Sequence, residues 1–432
     1  MRQFRCLGPD CEDTCCQSWD VHYDKKHYEL LQNRIKNDPQ GRALIERSLL
    51  VNTAANRTDN NYALVQFGQT RYCPLLDEDD WCLIHRRFGM EVLNDTCTFF
   101  PRVFTRYNNT VEMTGALSCP EVVRLCLAAD LTTAWVPFKP DLLPRTEVPF
   151  ARTYTEAEAD FYAEEFHAIR QCLLETLCRA DYALETKLFV LANFSHRLSQ
   201  NYHQGAPANL PFITAEVQRL NERGVWDGLE HFYSQYVNDE PIAMIVIQSI
   251  LQLHIQKMPD DKLSRIARPM LAITHTKDKP VATLADEIYA DNQPPQQLWE
   301  TFQKNWLPLN AAWGVELELY LTRYALNCLQ REWFVAVPTP FIAIHLLCIR
   351  LAVLRFLITG YPPLREFVQQ HRQCTPAEHV QLTPQFRAFI VELMYTFARG
   401  FDQNLPMLQV IYAALSEQQM MSFDYSLPLI KF

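Results

Sequence analysis

The chain has 432 residues, 48% of them hydrophobic and 21% charged, with a formal net charge of −10. That length allows two or three domains and a large core without covalent staples. The excess of acid argues against nucleic acid or an anionic membrane surface as the principal partner, and only 11 glycines leave little material for glycine-rich phosphate loops.

In chain order, the opening Met1-Arg2-Gln3-Phe4-Arg5 has neither an apolar h-region nor a small-residue cleavage site, so a secretory leader is not expected. A cytoplasmic, reducing environment is, and there thiols serve metals or redox chemistry more often than disulfides. Eight of the fourteen cysteines then fall within 119 residues, as Cys6, Cys11, Cys15, Cys16, Cys73, Cys82, Cys97 and Cys119. Tyr28, Leu31 and Ile35 predict a helix after the first four, and Thr53 to Asn61 reads as a loop. A short helix carrying His85 is expected between Cys82 and Cys97. Val103–Tyr107 and Thr110–Met113 flank Asn108-Asn109, which tolerate positive φ, and predict a hairpin. Val136 to Pro144, with Pro149 beyond, is proline-studded and reads as a linker.

Beyond it nearly every segment reads as helix. Thr155 with Glu158 forms a capping box ahead of the apolar face Tyr162, Phe166, Ile169, Leu173 and Leu177. Pro241–Gln256, Trp313–Trp333 and Pro340–Thr359 are further helices. Thr383-Pro384 reads as a start, followed by Phe386, Phe389, Ile390, Leu393, Met394 and Phe397, with Gly400 as the stop. His345, Arg350 and Arg355 interrupt the most apolar stretch, Phe341 to Ile358, so no membrane span is expected. The fold class is mostly α: a small α+β cysteine-rich module over residues 1–135, a linker over 136–150, and an irregular all-α bundle over 151–432.

The eight early cysteines lie in polar, turn-rich sequence, which suits ligands better than inert core thiols. Asp10, Glu12, Asp13 and Thr14 are turn formers around Cys11-x3-Cys15-Cys16, and Cys73 and Cys119 each precede a proline that fixes a bend beside the sulfur. Common templates fail. There is no Cys-x2-Cys pair, the bacterial ferredoxin run is absent, and a Cys-x3-Cys-x2-Cys motif would need cysteine where Ser18 stands. The framework is sparser and drawn from separate loops. Cys126, Cys172, Cys178, Cys328, Cys348 and Cys374 sit in mostly helical, apolar surroundings and read as core filler.

The run from Phe4 to Trp19, Phe-Arg-Cys-Leu-Gly-Pro-Asp-Cys-Glu-Asp-Thr-Cys-Cys-Gln-Ser-Trp, resembles the opening signature of the flagellin lysine N-methylase family. So do Cys73-Pro74-Leu75-Leu76 with Trp81-Cys82-Leu83-Ile84, Thr96-Cys97-Thr98-Phe99-Phe100-Pro101-Arg102, and Leu117-Ser118-Cys119-Pro120-Glu121. The blocks also resemble a wider group of small metal-chelating proteins with a double-cysteine motif. The family resemblance implies methylation of surface-lysine ε-amino groups on flagellin with S-adenosylmethionine as donor, and a 4Fe–4S cluster, for which four of the eight cysteines would suffice.

Methyl transfer needs a neutral amine, whereas a free lysine near pKa 10.4 is protonated, so the site must desolvate it or take its proton. Near the cysteine blocks the candidates are Asp13, Asp20, His85 and Tyr107. Trp19 is a candidate aromatic wall for a cationic cofactor, and Arg102 a counter-charge to a cluster. No Rossmann-type glycine loop is present to hold the donor. The alternative is a non-catalytic zinc- or iron-binding, or redox-sensing, protein whose helical domain docks a partner.

Overall fold

A computed structural model describes residues 3–17, 20–68, 72–137, 143, 145, 147–150, 152–154, 165–201, 210–237, 240–271, 294–332, 334, 337–402 and 404–432. The chain forms two compact units: Met1–Leu125 with Trp135–Tyr154, and Cys126–Ala134 with Thr155–Phe432. It is mostly α, with small sheets in the first unit.

The first unit carries β1 (His22–Tyr23), α1 (Lys25–Arg34), α2 (Pro39–Ser48), β2 (Leu49–Val51), β3 (Ala63–Val65), α3 (Leu83–Phe88), α4 (Asp95–Phe99), β4 (Arg102–Tyr107), β5 (Thr110–Gly115) and, after α5 (Pro120–Ala128), β6 (Arg152–Tyr154). The predicted first helix is α1. Asp24 caps it by accepting the His27 amide at 3.0 Å, and Leu31 and Ile35 are fully buried. One sheet runs β1-β3-β2, antiparallel, with Leu64 opposite both His22 and Leu50. The predicted hairpin is β4–β5, with Phe104 opposite Met113 and Asn108 at φ 49 in its turn. β6 adds in parallel to β4, Arg106 opposite Thr153. Within residues 136–150, Arg145 donates to Asp95 and Glu147 pairs with Lys26, both residues of the first unit.

A core of Val21, Tyr23, Leu31, Ile35, Ile45, Leu49, Val65, Leu75, Ile84 and Val92 lies beneath the first sheet, and Cys73 and Cys82 pack half-buried against it. Hydrophobic burial therefore holds these two loop cysteines, not only local turns.

Among its described residues the second unit holds helices and connecting loops, and no strand. Its helices are α6 (Phe166–Cys178), α7 (Leu184–Gln200), α8 (Leu210–Arg219), α9 (Arg223–Gln235), α10 (Glu240–Lys257), α11 (Lys262–Met270), α12 (Pro295–Arg331), α13 (Pro340–Gly360), α14 (Pro362–Gln370), α15 (Pro376–Phe397), α16 (Leu405–Glu417) and α17 (Phe423–Ile430). On α6, Phe166, Ile169, Leu173 and Leu177 are buried as their spacing predicts; Thr155, Glu158 and Tyr162 lie outside the described residues, as does Trp333.

Three boundaries differ from expectation. The helix expected from Trp313 opens at Pro295 and runs to Arg331 as α12, with Pro308 accommodated inside it. The helix expected to open at Thr383 begins at Pro376, because Thr375 and Glu378 form a reciprocal capping box there. Pro384 sits inside it, and the Thr383 hydroxyl donates back to the His379 carbonyl at 2.9 Å. Gly400 does not end the run but lies within a π-helical turn, Ala398–Asp402. A Cβ there would meet Leu263 at 2.8 Å and His254 at 3.1 Å, so glycine permits close packing rather than termination.

α13 is long and apolar enough to cross a bilayer, but 78% of its apolar window is buried by protein. Its charges are matched inside. Arg350 donates to Glu332 at 2.6 Å and lies 3.4 Å from Asp402, and Arg355 donates to Glu185 at 3.1 Å. The Tyr324 hydroxyl completes the Asp402 site with a 2.8 Å bond.

Candidate metal centre

The four cysteines Cys16, Cys73, Cys82 and Cys97 come from three separate stretches. The Cys73 amide donates to the Cys16 carbonyl at 2.8 Å, beside an isolated antiparallel bridge between Gln17 and Tyr72. A tight loop returns the chain. Leu76 donates to the Cys73 carbonyl at 3.2 Å, Leu76 and Cys82 form a second bridge, and Leu83 donates to Leu75 at 2.8 Å. Asp77 holds the loop tip by accepting the Asp79 and Trp81 amides, each at 3.0 Å, and the Arg86 guanidinium at 2.8 Å. Cys82 is the N-cap residue of α3. Cys97 lies in the first turn of α4, where the Asn94 side chain accepts its amide at 2.7 Å and donates to its Sγ at 3.5 Å. As a result, every pair among these four thiols is close enough for charge on one to disfavour charge on the other.

Backbone amides also point at the sulfurs. Leu75 donates to Cys73, and His85 and Ile84 donate to Cys82. Such N–H···S bonds stabilise thiolate over thiol and tune metal–thiolate sites.

The other four gather alongside. Cys15 hydrogen-bonds Cys16 and is within electrostatic reach of Cys6 and Cys97, while Cys119 is within reach of Cys11 and Cys6. The Gly8 amide donates to Cys6 Sγ at 3.5 Å. Gly8 itself has φ +58 and lies under the Trp81 indole, where a Cβ would sit 2.9 Å from the ring. Arg102 stacks over Phe4 at 5.3 Å, and Arg124 joins Glu12 to Glu121, 3.1 Å from the latter. These contacts stitch the N-terminal loop to the start of α5. Cys119 Sγ there accepts from the Glu121 and Val122 amides.

Burial pushes Cys73 up to about 12 and Cys119 to about 11, and it also raises Cys82. Cys97 retains exposed residue surface, yet protein crowds its thiol, and burial is again the first cause raising its pKa. In the Cys15–Cys16 pair the shared hydrogen bond raises Cys15 and lowers Cys16. Without a metal, most of this set is held as thiol, so metal entry displaces protons.

Sequence reasoning missed a second constellation. Asp24, His27 and Asp95 bring three potential ligand atoms within 4.8 Å of one another. His27 Nδ1 lies 2.6 Å from Asp24, and Arg145 reaches into the group, contacting His27 Nε2 and donating to Asp95 at 2.9 Å and Thr98 at 2.8 Å. The guanidinium supplies the positive charge that a metal ion would bring. The i, i+3 pair Asp24 and His27 at a helix start was a legible signal; the contribution of Arg145, more than a hundred residues away, was not.

Among the remaining candidates, Asp13 lies in the thiol loop, where it accepts from Gln17 and its carbonyl takes the Cys11 Sγ–H at 3.5 Å. Asp20 is exposed and His85 is exposed on α3. Tyr107 is buried at the far end of β4 from Arg102, about 16 Å away at roughly 3.3 Å per strand residue. Arg102 is brought to Cys6, which opposes the lowering of its pKa by burial. Trp19 lies outside the described residues. Tyr23, not anticipated, buries its hydroxyl beside Cys97, Cys82 and Cys73.

Comparison with known proteins fits this architecture. Residues 170–429 match the family model "FliB lysine N-methylase C-terminal domain". The chain is 28% identical over 120 residues to "Flagellar biosynthetic protein FliU" of Salmonella muenchen, covering 28% of this chain and 68% of that protein. It is 28% identical over 121 residues to "Lysine-N-methylase" of Salmonella typhimurium (strain LT2), and over 120 residues to that of Salmonella choleraesuis. Each of these matches spans 28% of this chain and 29% of the relative. No solved structure matches the chain. With the family model covering more than half its length, the chain belongs to the FliB lysine N-methylase family, a family of protein-lysine methyltransferases.

Proposed function

We propose that this protein transfers methyl groups from S-adenosylmethionine to ε-amino groups of surface lysines on flagellin, in the cytoplasm, and that Cys16, Cys73, Cys82 and Cys97 hold a 4Fe–4S cluster. The observation that carries the reading is the mutual proximity of these four thiols, drawn from three stretches, in a chain of the lysine N-methylase family.

The donor set fits such a cluster. Four thiolates are the usual ligands, and hydrogen bonds to sulfur set its potential, a role open to the amides at Cys73 and Cys82 and to Asn94. When bound, the cluster supplies a redox-active, polarising centre.

The protein's own task is to present a neutral lysine in line with the donor's methyl group and to exclude water. Proton removal falls to Asp13, Asp20, His85 or Tyr107. An Asp13→Asn, Asp20→Asn, His85→Gln and Tyr107→Phe series, read as kcat against pH, identifies the acceptor. The direct test is incubation of anaerobically purified protein with flagellin and labelled S-adenosylmethionine, followed by mass spectrometry. A gain of about 14 Da per methyl on lysine is expected. Colourless, zinc-loaded protein with no mass gain would instead support the non-catalytic metal-binding reading.

A further inference from the structure

We propose that Cys374, His379 and Glu316 form a reactive-thiol site in the helical unit, where small disulfides carrying carboxylates add to Cys374 by thiol–disulfide exchange. The site stands apart from the cysteine-rich unit and from methyl transfer, so its test does not depend on either.

Cys374, expected as core filler, stands half-buried in the connection between α14 and α15. Its Sγ lies 4.0 Å from His379 Nδ1, the outer limit of a sulfur hydrogen bond, and His379 Nε2 lies 2.8 Å from the Glu316 carboxylate. An ionised carboxylate only accepts, so Nε2 carries the imidazole proton and Nδ1 presents its lone pair to the thiol. The indole of the fully buried Trp313 stacks on the imidazole at 4.0 Å and 22°, which holds the ring in that plane. Nucleophile, base and orienting group thus stand in the order that activates a cysteine, with the looser spacing usual before substrate binds. The nearby Glu378 carboxylate is taken up by the Thr375 amide and hydroxyl, at 2.7 and 2.8 Å, and serves the cap of α15.

A separate observation names the class of disulfide. A cavity of about 130 Å³ is lined by Lys304, Arg365 and Arg372 and by no acidic side chain, in a chain of net charge −10. Its lining also holds Thr359, whose buried hydroxyl has no hydrogen-bond partner among the described residues. Three cations and an unpaired hydroxyl suit a carboxylate-bearing ligand. The cavity adjoins the thiol. Leu309 lines it, and Trp313 one turn further along α12 carries the stacked imidazole; Arg372 lines it two residues before Cys374.

In the exchange, the Cys374 proton passes to His379 Nδ1 as Sγ attacks one sulfur of the disulfide. A new S–S bond forms to Cys374, the original S–S bond breaks, and the departing thiolate takes up the proton. Cys374 is thereby oxidised to a mixed disulfide, and the leaving half is reduced to a thiol. A free thiol near pKa 8.5 is about 3% ionised at pH 7, so such a relay gains at most about 30-fold.

The test is the rate at which the full, reduced chain forms a mixed disulfide at Cys374, read by peptide mass spectrometry after quenching. The probes are glutathione disulfide, which is anionic, and cystamine, which is cationic. With glutathione disulfide, Cys374 should react about tenfold faster than Cys178, which is also half-buried. His379→Gln should slow Cys374 about tenfold with both probes. Glu316→Ala should do the same, and Glu316→Gln, which keeps an acceptor for Nε2–H, should recover part of the rate. Lys304→Gln with Arg365→Gln, both at exposed positions, should slow glutathione disulfide about tenfold and leave cystamine unchanged. An unchanged Cys178 rate shows that each variant is folded. Equal rates at Cys374 and Cys178, or an unaltered Cys374 rate in His379→Gln, would overturn the inference. So would a double cation variant that treats the two probes alike, since the cavity would then have no part in selecting the disulfide.

Discussion

The amide of Cys73 donates to the carbonyl of Cys16 across 2.8 Å, joining two cysteine blocks 57 positions apart in the chain. That bond, with the neighbouring Gln17–Tyr72 bridge, brings the N-terminal loop to the Cys73–Cys82 turn. The grouping of the thiols depends on this backbone pairing as much as on the sulfurs.

Asn94 works on both sides of Cys97, capping α4 through its oxygen and donating to Sγ through its nitrogen. Asn94→Ala is expected to cost about 1 kcal/mol through the lost cap and to weaken iron retention about 10- to 100-fold, as for lost outer-sphere partners. Asn94→Asp keeps the acceptor but removes the donor and adds charge beside sulfur. It should recover the stability and not the iron. Chemical denaturation alongside iron release to a chelator separates the two effects.

Arg145 pairs with the half-exposed Asp95 and contacts His27, whose other ring nitrogen meets Asp24. Arg145→Ala should destabilise the protein by about 1 kcal/mol, the order of a partly exposed ion pair and its hydrogen bonds. The emptied triad should then bind zinc, and zinc at about 100 times its dissociation constant should add about 2.7 kcal/mol. Thermal unfolding with and without zinc, compared with wild type, measures both. Absence of any zinc-dependent shift in the variant would show that the triad is not preorganised.

In the second unit, Asp402 is buried between Arg331, Arg350 and the Tyr324 hydroxyl. Asp402→Ala leaves Arg331 and Arg350 buried with Glu332 as their one shared carboxylate among these contacts and is expected to cost about 3 kcal/mol. Tyr324→Phe removes a single hydrogen bond, about 1–2 kcal/mol. A double-mutant cycle should show coupling, because both changes act on the same carboxylate.

His345 is buried against Ser426, 2.6 Å from Nδ1, and burial lowers its pKa from 6.5 to about 4. Below pH ~6.5 the unfolded chain takes up a proton that the folded chain refuses, so stability falls as pH drops toward 4 and the loss levels off below that. The full effect is about 3 kcal/mol, of which about 2 kcal/mol appears between pH 7.5 and 5. Urea unfolding at those two pH values should show His345→Gln losing about 2 kcal/mol less than wild type over the interval. Equal losses would mean that His345 does not titrate on unfolding.

Features encoded locally were legible before any coordinates. Apolar spacing at Tyr28, Leu31 and Ile35 marks α1, the Asn108-Asn109 turn marks the hairpin, and the interrupted apolar stretch around Arg350 and Arg355 is a buried helix whose charges are paired. Rules over four to seven neighbouring residues suffice there, because capping, periodicity and turn conformation are short-range physics. The same rules misplaced the start of α15, where Thr383-Pro384 imitates a cap and Thr375 with Glu378 provides one.

The order of the amino acids announced a cluster of thiols and its polar, turn-rich setting, and that much required only composition and spacing. Which sulfur neighbours which was settled by long-range packing: the bridge at Cys16 and Cys73, burial of Cys73 and Cys82 on the first core, and the Arg124 clasp that draws Cys11 to Cys119. Arg145 entering the Asp24–His27–Asp95 group belongs to the same category. Distance along a chain constrains distance in space only within a few residues; beyond that, it is the burial of apolar surface and the pairing of backbone amides that decide which groups meet.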